Sequence, residues 1–223
     1  MIQILILWLI APVTIYLCLV VLGNAALTLV LFQGIICFLI PLVDFKLIQH
    51  KNIRQYFLDM GFQNFRKTFF PAFVTGLVFC FLIYGFFVWL ETYVLDMTQM
   101  QSVLDSWHID KKYLLPLMIA MVLSNSIFEE IYWRGYVYHK LESKVSSFNV
   151  IILTAFFYMS YHLITTINLF SVVYGVLFSS VIFCVGLFWG LMKKKYNSLY
   201  FSILSHLLAD LGIMLIYFKY FGR

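Results

Sequence analysis

Apolar residues run along this chain in blocks of about twenty, separated by short polar stretches. A helix rises about 1.5 Å per residue, so about 20 apolar residues cross a hydrocarbon core about 30 Å thick. Seven blocks meet that length, at about 1–21, 24–43, 69–90, 113–138, 149–168, 171–192 and 198–218. The pattern predicts an all-α, polytopic membrane protein with about seven transmembrane helices. Between the second and third blocks, residues 44–68 mix Lys46, Lys51, Arg54, Arg66 and Lys67 with Phe45, Ile48, Ile53, Phe57 and Phe62. That mixture predicts an amphipathic helix lying at the interface, basic side in the headgroups. The other long connection, 91–110, carries four acids and no base. No repeat, low-complexity tract or soluble domain interrupts the series, so 1–223 reads as a single integral membrane domain.

Composition agrees: 63% of residues are hydrophobic and 11% charged, against about 25% charged in a soluble domain. A net charge of +5 would point to nucleic acid in a soluble chain. Here the basic residues flank apolar blocks, which fits anionic lipid headgroups and gives no reason to expect nucleic acid. With the N-terminus in the cytoplasm, Lys46, Lys51, Arg54, Arg66, Lys67, Lys140, Lys144, Lys193, Lys194 and Lys195 fall inside. Lys111, Lys112, Lys219 and Arg223 then fall outside, and the positive-inside rule selects this orientation. Met1 to Trp8 lack the basic start and small-residue cleavage site of a secretory signal, so the first block reads as a retained span. Cys18, Cys37, Cys80 and Cys184 lie in apolar blocks without metal-ligand spacing and are expected as buried free thiols. Gly186 and Gly190 have the spacing of a close helix contact.

Charge inside the fourth block changes the picture. Glu129, Glu130 and Arg134 lie within six residues of one another in a predicted span. Each ionisable group at that depth costs roughly 2.5–3.5 kcal/mol on insertion scales, so such groups are rare and functional by default. Glu130 and Arg134, four apart, share a helix face and can pair. Glu129 is about 100° further round, free to point into a cavity. A desolvated acid beside a like charge is the kind of group a general base is made from. A buried pair that serves only helix packing is the plain alternative.

His50 and His108 fall in loops and His139 near a helix end, but His162 and His206 each interrupt an apolar block. His206 and Asp210 again lie four apart. Counting about 1.5 Å per residue, Glu129 is about 24 Å from the outer end of its span. His162 and His206 are about 21 Å and 14 Å from the cytoplasmic ends of theirs. All three are expected in the middle and cytoplasmic half of the bilayer, where they can converge. The set contains no serine or cysteine paired with a base at a recognisable spacing, although Ser124, Ser126 and Ser160 lie nearby. Water is the natural nucleophile, activated by Glu129 with help from His162, while His206 and Asp210 face the developing oxyanion. Such a set would hydrolyse a peptide bond in a membrane cavity.

Glu129-Glu130-x-x-x-Arg134, then an aromatic residue four before His162, then His206-x-x-x-Asp210, resembles the CPBP (Abi) family. That family holds the type II CAAX prenyl endopeptidases and bacterial proteins linked to bacteriocin processing and self-immunity. The resemblance covers about 113–210, expected as the catalytic core; Met60-Gly61-Phe62 is a weaker likeness. It implies that Glu129 activates water with His162, that Glu130 and Arg134 order the site, and that His206 and Asp210 line the oxyanion pocket. It also implies metal-free proteolysis in a bacterial cytoplasmic membrane. Two positions depart from the pattern. Tyr158 stands where phenylalanine is usual, and Asp210 stands where the prenyl endopeptidases have asparagine. An ionised Asp210 would repel an oxyanion; it helps if protonated or by orienting His206.

The expected function is therefore intramembrane endopeptidase action on a peptide or membrane-associated protein, with the lipid bilayer as setting and no cofactor. Alternatives are a non-enzymatic immunity or scaffold protein of the same family, a proton-coupled transporter, and a protease binding zinc through Glu129, His162 and His206. No HExxH spacing supports the zinc reading. The sequence leaves substrate identity and oligomeric state open.

Overall fold

A computed structural model describes residues 2–50, 52–109 and 111–221, apart from the side chains of Lys111 and Leu114. Of the residues counted for orientation, Lys51 and Arg223 lie outside the described residues, as does Met1 of the first span. The described residues contain no strand. The apolar blocks become helices α1 (Ile2–Val21), α2 (Ala25–Ile48), α4 (Phe65–Tyr93), α6 (Leu115–Glu142) and α9 (Tyr200–Phe221). Two short polar helices, α3 (Ile53–Met60) and α5 (Met97–Ser106), lie between them. Caps mark the starts. Asn24 accepts from the Leu27 amide, Asn52 from Gln55, and Asp96 from Thr98 and Gln99, each satisfying donors that a first turn leaves open.

Residues 147–196 form one apolar stretch of 50 residues, about 75 Å if straight and more than twice the bilayer core. The stretch breaks at Ser171, whose φ of 73° and ψ of 170° are not helical. Two helices result, α7 (147–170) and α8 (172–196), and they fold back on one another. The Thr166 hydroxyl donates to the Gly175 carbonyl at 3.0 Å and lies 2.7 Å from the Ser179 hydroxyl, contacts that a straight helix would hold well over 10 Å apart. Split there, the described residues hold seven helices long and apolar enough to cross a membrane, the number the sequence predicts. Gly175 permits the return, because a Cβ there would sit 2.6 Å from the backbone of Ile167. Gly175→Val is expected to destabilise the protein by about 1–3 kcal/mol through forced separation of α7 and α8. Unfolding in detergent checks this; parental stability would contradict the packing.

Three expectations are corrected. The second span runs on through Asp44 and Lys46 to Ile48, and α4 begins at Phe65. The interfacial helix is therefore only Ile53–Met60. The reason is tertiary: Asp44, 8% exposed, pairs with Lys140 of α6 at 3.0 Å, so the charge that seemed to end the span is neutralised inside the bundle. The acidic connection 91–110 contains α5. Cys18, Cys37 and Cys80 are buried free thiols, but Cys184 is exposed on the lipid-facing side of α8.

The bundle has two distinct ends. At one, the α1–α2 turn meets the segment after α5 through Ala25 N–H to Trp107 C=O and His108 Nδ1 against Gly23 C=O. At the other, Lys193 donates to the Met60 carbonyl, Asn64 to that of Tyr196, and Ser198 to that of Gln63. Lys46, Arg54, Arg66, Lys67, Lys140, Lys144, Lys193, Lys194 and Lys195 gather at this second end. Wide i→i+5 turns replace ordinary α turns over residues 120–125 and 131–137 of α6. Between them, residues 126–130 keep α geometry and carry both glutamates. Each wide turn shifts the phase of the side chains that follow; the same turns recur over 16–21 of α1 and over 29–39 and 44–48 of α2.

Candidate active site

Four polar residues on α6 and α9 are joined through Glu130 Oε1 and the His206 ring, while Glu130 Oε2 and two Arg134 nitrogens make no hydrogen bond. Arg134 Nη1 donates to Glu130 Oε1 at 2.9 Å, with both side chains at 0% exposure. The same Glu130 oxygen lies 3.1 Å from His206 Nδ1. The other ring nitrogen, Nε2, is 3.5 Å from Asp210 Oδ1 and 3.4 Å from the Tyr158 hydroxyl. Both four-residue spacings read from the sequence thus close as contacts on single helix faces. Aromatic side chains complete the enclosure. The Arg134 guanidinium lies 4.2 Å from the centre of the Tyr158 ring and 5.1 Å from that of Trp189, which stabilises a desolvated cation. Trp189 also stacks on His206 at 4.5 Å and is fixed by donating to Ser205.

Glycine spacing on α8 makes room for this network. A Cβ at Gly186 would come within 3.1 Å of the Ala155 Cβ and 3.3 Å of Arg134 Nη2. One at Gly190 would meet Ile151 at 2.9 Å. Small residues here bring α7 and α8 together behind the guanidinium, the packing role read from the sequence.

Glu129 and His162 stand apart from that network. Glu129 Oε2 and His162 Nε2 face each other at 3.9 Å, too far for a direct hydrogen bond, and neither atom has a hydrogen-bond partner. One water at ordinary hydrogen-bond distance, about 2.8 Å, can touch both. The Glu129 side chain is 2% exposed and that of His162 is 23%, so the imidazole forms the open edge of a desolvated carboxylate. Tyr161 turns its hydroxyl toward Glu129 without closing a hydrogen bond of standard geometry. Its ring stacks on buried Trp133 at 5.9 Å. His162 packs against Tyr158 and Tyr161 at 4.7 and 4.3 Å.

All six residues singled out in the sequence meet in one place: Glu129, Glu130, Arg134, His162, His206 and Asp210. Glu130 pairs with Arg134 through Oε1 as the spacing predicts, while Glu129 Oε2, like Glu130 Oε2, makes no hydrogen bond. His206 is more enclosed than expected, with a carboxylate at each ring nitrogen. Several neighbours are not implied by the sequence pattern: the Tyr158 and Tyr161 hydroxyls, Trp189, Gln33 and Asn125. Gln33 and Asn125 do carry a signal, since each is a polar residue within an apolar span, as the histidines are. Trp189 carries none. Among the described residues, no group of three or more His, Cys, Asp or Glu side chains is placed to hold one metal ion.

Residues 111–212 match a family model described as type II CAAX prenyl endopeptidase Rce1-like. The likeness spans a little under half of the chain. The matched segment contains every one of the six converging residues. No curated protein and no solved structure matches the chain.

Proposed function

We propose that this protein is an intramembrane endopeptidase in which Glu129 and His162 activate water against a peptide bond of a membrane-associated protein or peptide. The observation that carries the reading is the pair of unpartnered, facing atoms, Glu129 Oε2 and His162 Nε2, 3.9 Å apart. In the proposed step, Glu129 takes one proton of the water and His162 Nε2 accepts a hydrogen bond from the other. The water oxygen adds to the scissile carbonyl carbon. The C–N bond then breaks as Glu129 returns its proton to the leaving nitrogen, giving a carboxylic acid, which keeps the second water proton, and an amine. Glu130 and Arg134 hold His206 in place. His206, with Asp210 behind it, is the positive or hydrogen-bonding surface nearest the developing oxyanion.

The match to the Rce1-like family model supports peptidase chemistry at the level of the family. The gathering of lysines and arginines at one end supports placing that end, and the N-terminus, in the cytoplasm, and by family branch the membrane would be a bacterial one. A first experiment uses the purified full chain in lipid nanodiscs and follows cleavage of a quenched-fluorescence farnesylated peptide and a non-prenylated membrane-anchored one. Trapping with Glu129→Ala, comparing peptides that accumulate in membranes bearing the variant and the parent protein, identifies the natural substrate.

A zinc ion would be the other way to activate the water. Cleavage is expected to persist in excess EDTA and 1,10-phenanthroline. Loss of activity restored by added zinc would replace the metal-free mechanism. A non-enzymatic membrane partner is the competing class, and the fully buried Glu130–Arg134 pair is what favours it. That reading requires partner binding or immunity to survive Glu129→Ala.

A further inference from the structure

Beside the motif residues, a line of hydrogen bonds crosses α2, α6 and α9. Gln33 Nε2 donates to Asn125 Oδ1 at 2.7 Å, and Asn125 Nδ2 donates to Asp210 Oδ2 at 3.0 Å. The other Asp210 oxygen faces His206 Nε2 at 3.5 Å. Gln33, Asn125 and Asp210 are 5%, 7% and 4% exposed, so water does not compete for these bonds, and leaving any of them open is costly. The polarity of the line is set by its last member. A carboxylate only accepts, so Asn125 must present its nitrogen to Asp210 and its oxygen to Gln33, which in turn must donate.

We propose that Asn125, locked in orientation by Gln33, is a positioning residue that aims the Asp210 carboxylate at His206; the proposal rests on the proteolytic reading above. His206 already meets Glu130 at Nδ1, so the orientation of Asp210 decides how the opposite nitrogen is engaged. By holding Oδ2, Asn125 fixes the carboxylate plane and keeps Oδ1 just beyond hydrogen-bond length from the ring. Without it, Asp210 is free to close on the imidazole or to swing away, and either changes the surface offered to the oxyanion.

The test uses the full chain in nanodiscs, with cleavage of the farnesylated peptide and ¹⁵N spectra of the histidine rings as readouts. Asn125→Leu is expected to lower kcat roughly 10–100-fold, the usual range for residues behind a reacting group, with KM changed less than about 2-fold. The His206 ring signals should move and those of His162 should not. Gln33→Glu tests polarity at nearly constant shape. A carboxylate at position 33 demands the amide nitrogen, so the Asn125 oxygen is turned against Asp210, and a similar loss is expected. Asp210→Asn supplies a donor there and reverses the whole line, so Gln33→Glu should cost less than about 3-fold in the Asp210→Asn background. An equal cost in both backgrounds, or an Asn125→Leu protein with parental kcat, overturns the proposal. If Asn125→Leu does not fold, the Gln33→Glu comparison decides. If the parent cleaves no probe, the proteolytic reading fails separately and the spectra decide: His206 signals unmoved by Asn125→Leu reject the positioning role.

Discussion

Glu129→Gln is expected to lower cleavage by roughly 10²–10⁴-fold while leaving the protein folded in the membrane. The substitution keeps the shape of a side chain that is 2% exposed and removes its ability to take a proton. Oε2 makes no hydrogen bond, so placing the amide nitrogen there breaks none. The loss should fall on kcat, with KM nearly unchanged, because in the proposed step Glu129 acts on the water and does not hold substrate. Rates on the farnesylated peptide, with unfolding in detergent measured in parallel, separate the two effects. A Glu129→Gln protein that unfolds early would reassign the residue to packing.

Glu130 and Arg134 should behave in the opposite way. Each is completely buried, and each is the other's partner at 2.9 Å. Glu130→Ala strands a guanidinium between two aromatic rings and leaves His206 Nδ1 without its carboxylate. Arg134→Ala strands a carboxylate. Breaking a buried pair from one side costs about 3–5 kcal/mol, most of it from the uncompensated charge. Either single variant is expected to lose most of its folded yield in membranes. Replacing both with leucine removes the stranded charge and should recover part of that loss in stability, though not activity. If the single variants express and unfold like the parent, the pair does not hold the site together.

Local spacing makes much of this site legible in the amino-acid sequence alone. Glu130–Arg134 and His206–Asp210 lie within about one helical turn of each other, so their contacts follow from helix geometry. The number of helices long enough to cross is legible for a similar reason, since apolar length is a property of each segment. Legibility stops where a contact depends on chain partners far apart. Asp44 looks like the end of a span because Lys140, its counter-charge, lies 96 residues away. The Gln33–Asn125–Asp210 line joins positions 92 and 85 residues apart. Cys184 shows the converse limit: hydrophobicity says that a residue avoids water, but not whether it faces protein or lipid. The helix Met97–Ser106 is hidden in the sequence because its polar composition resembles a loop, and its Asp96 cap is a single residue.

The central claim is that Glu129 and His162 act as one unit on the same water. A double-variant cycle tests it directly: kcat for cleavage of the farnesylated peptide by the parent, Glu129→Gln, His162→Ala and the double variant. Groups that serve a single step are non-additive, so the double variant should be no slower than the worse single variant, within about 3-fold. Losses that multiply, or a His162→Ala protein that keeps the parental rate, would show that the two residues do not share one water.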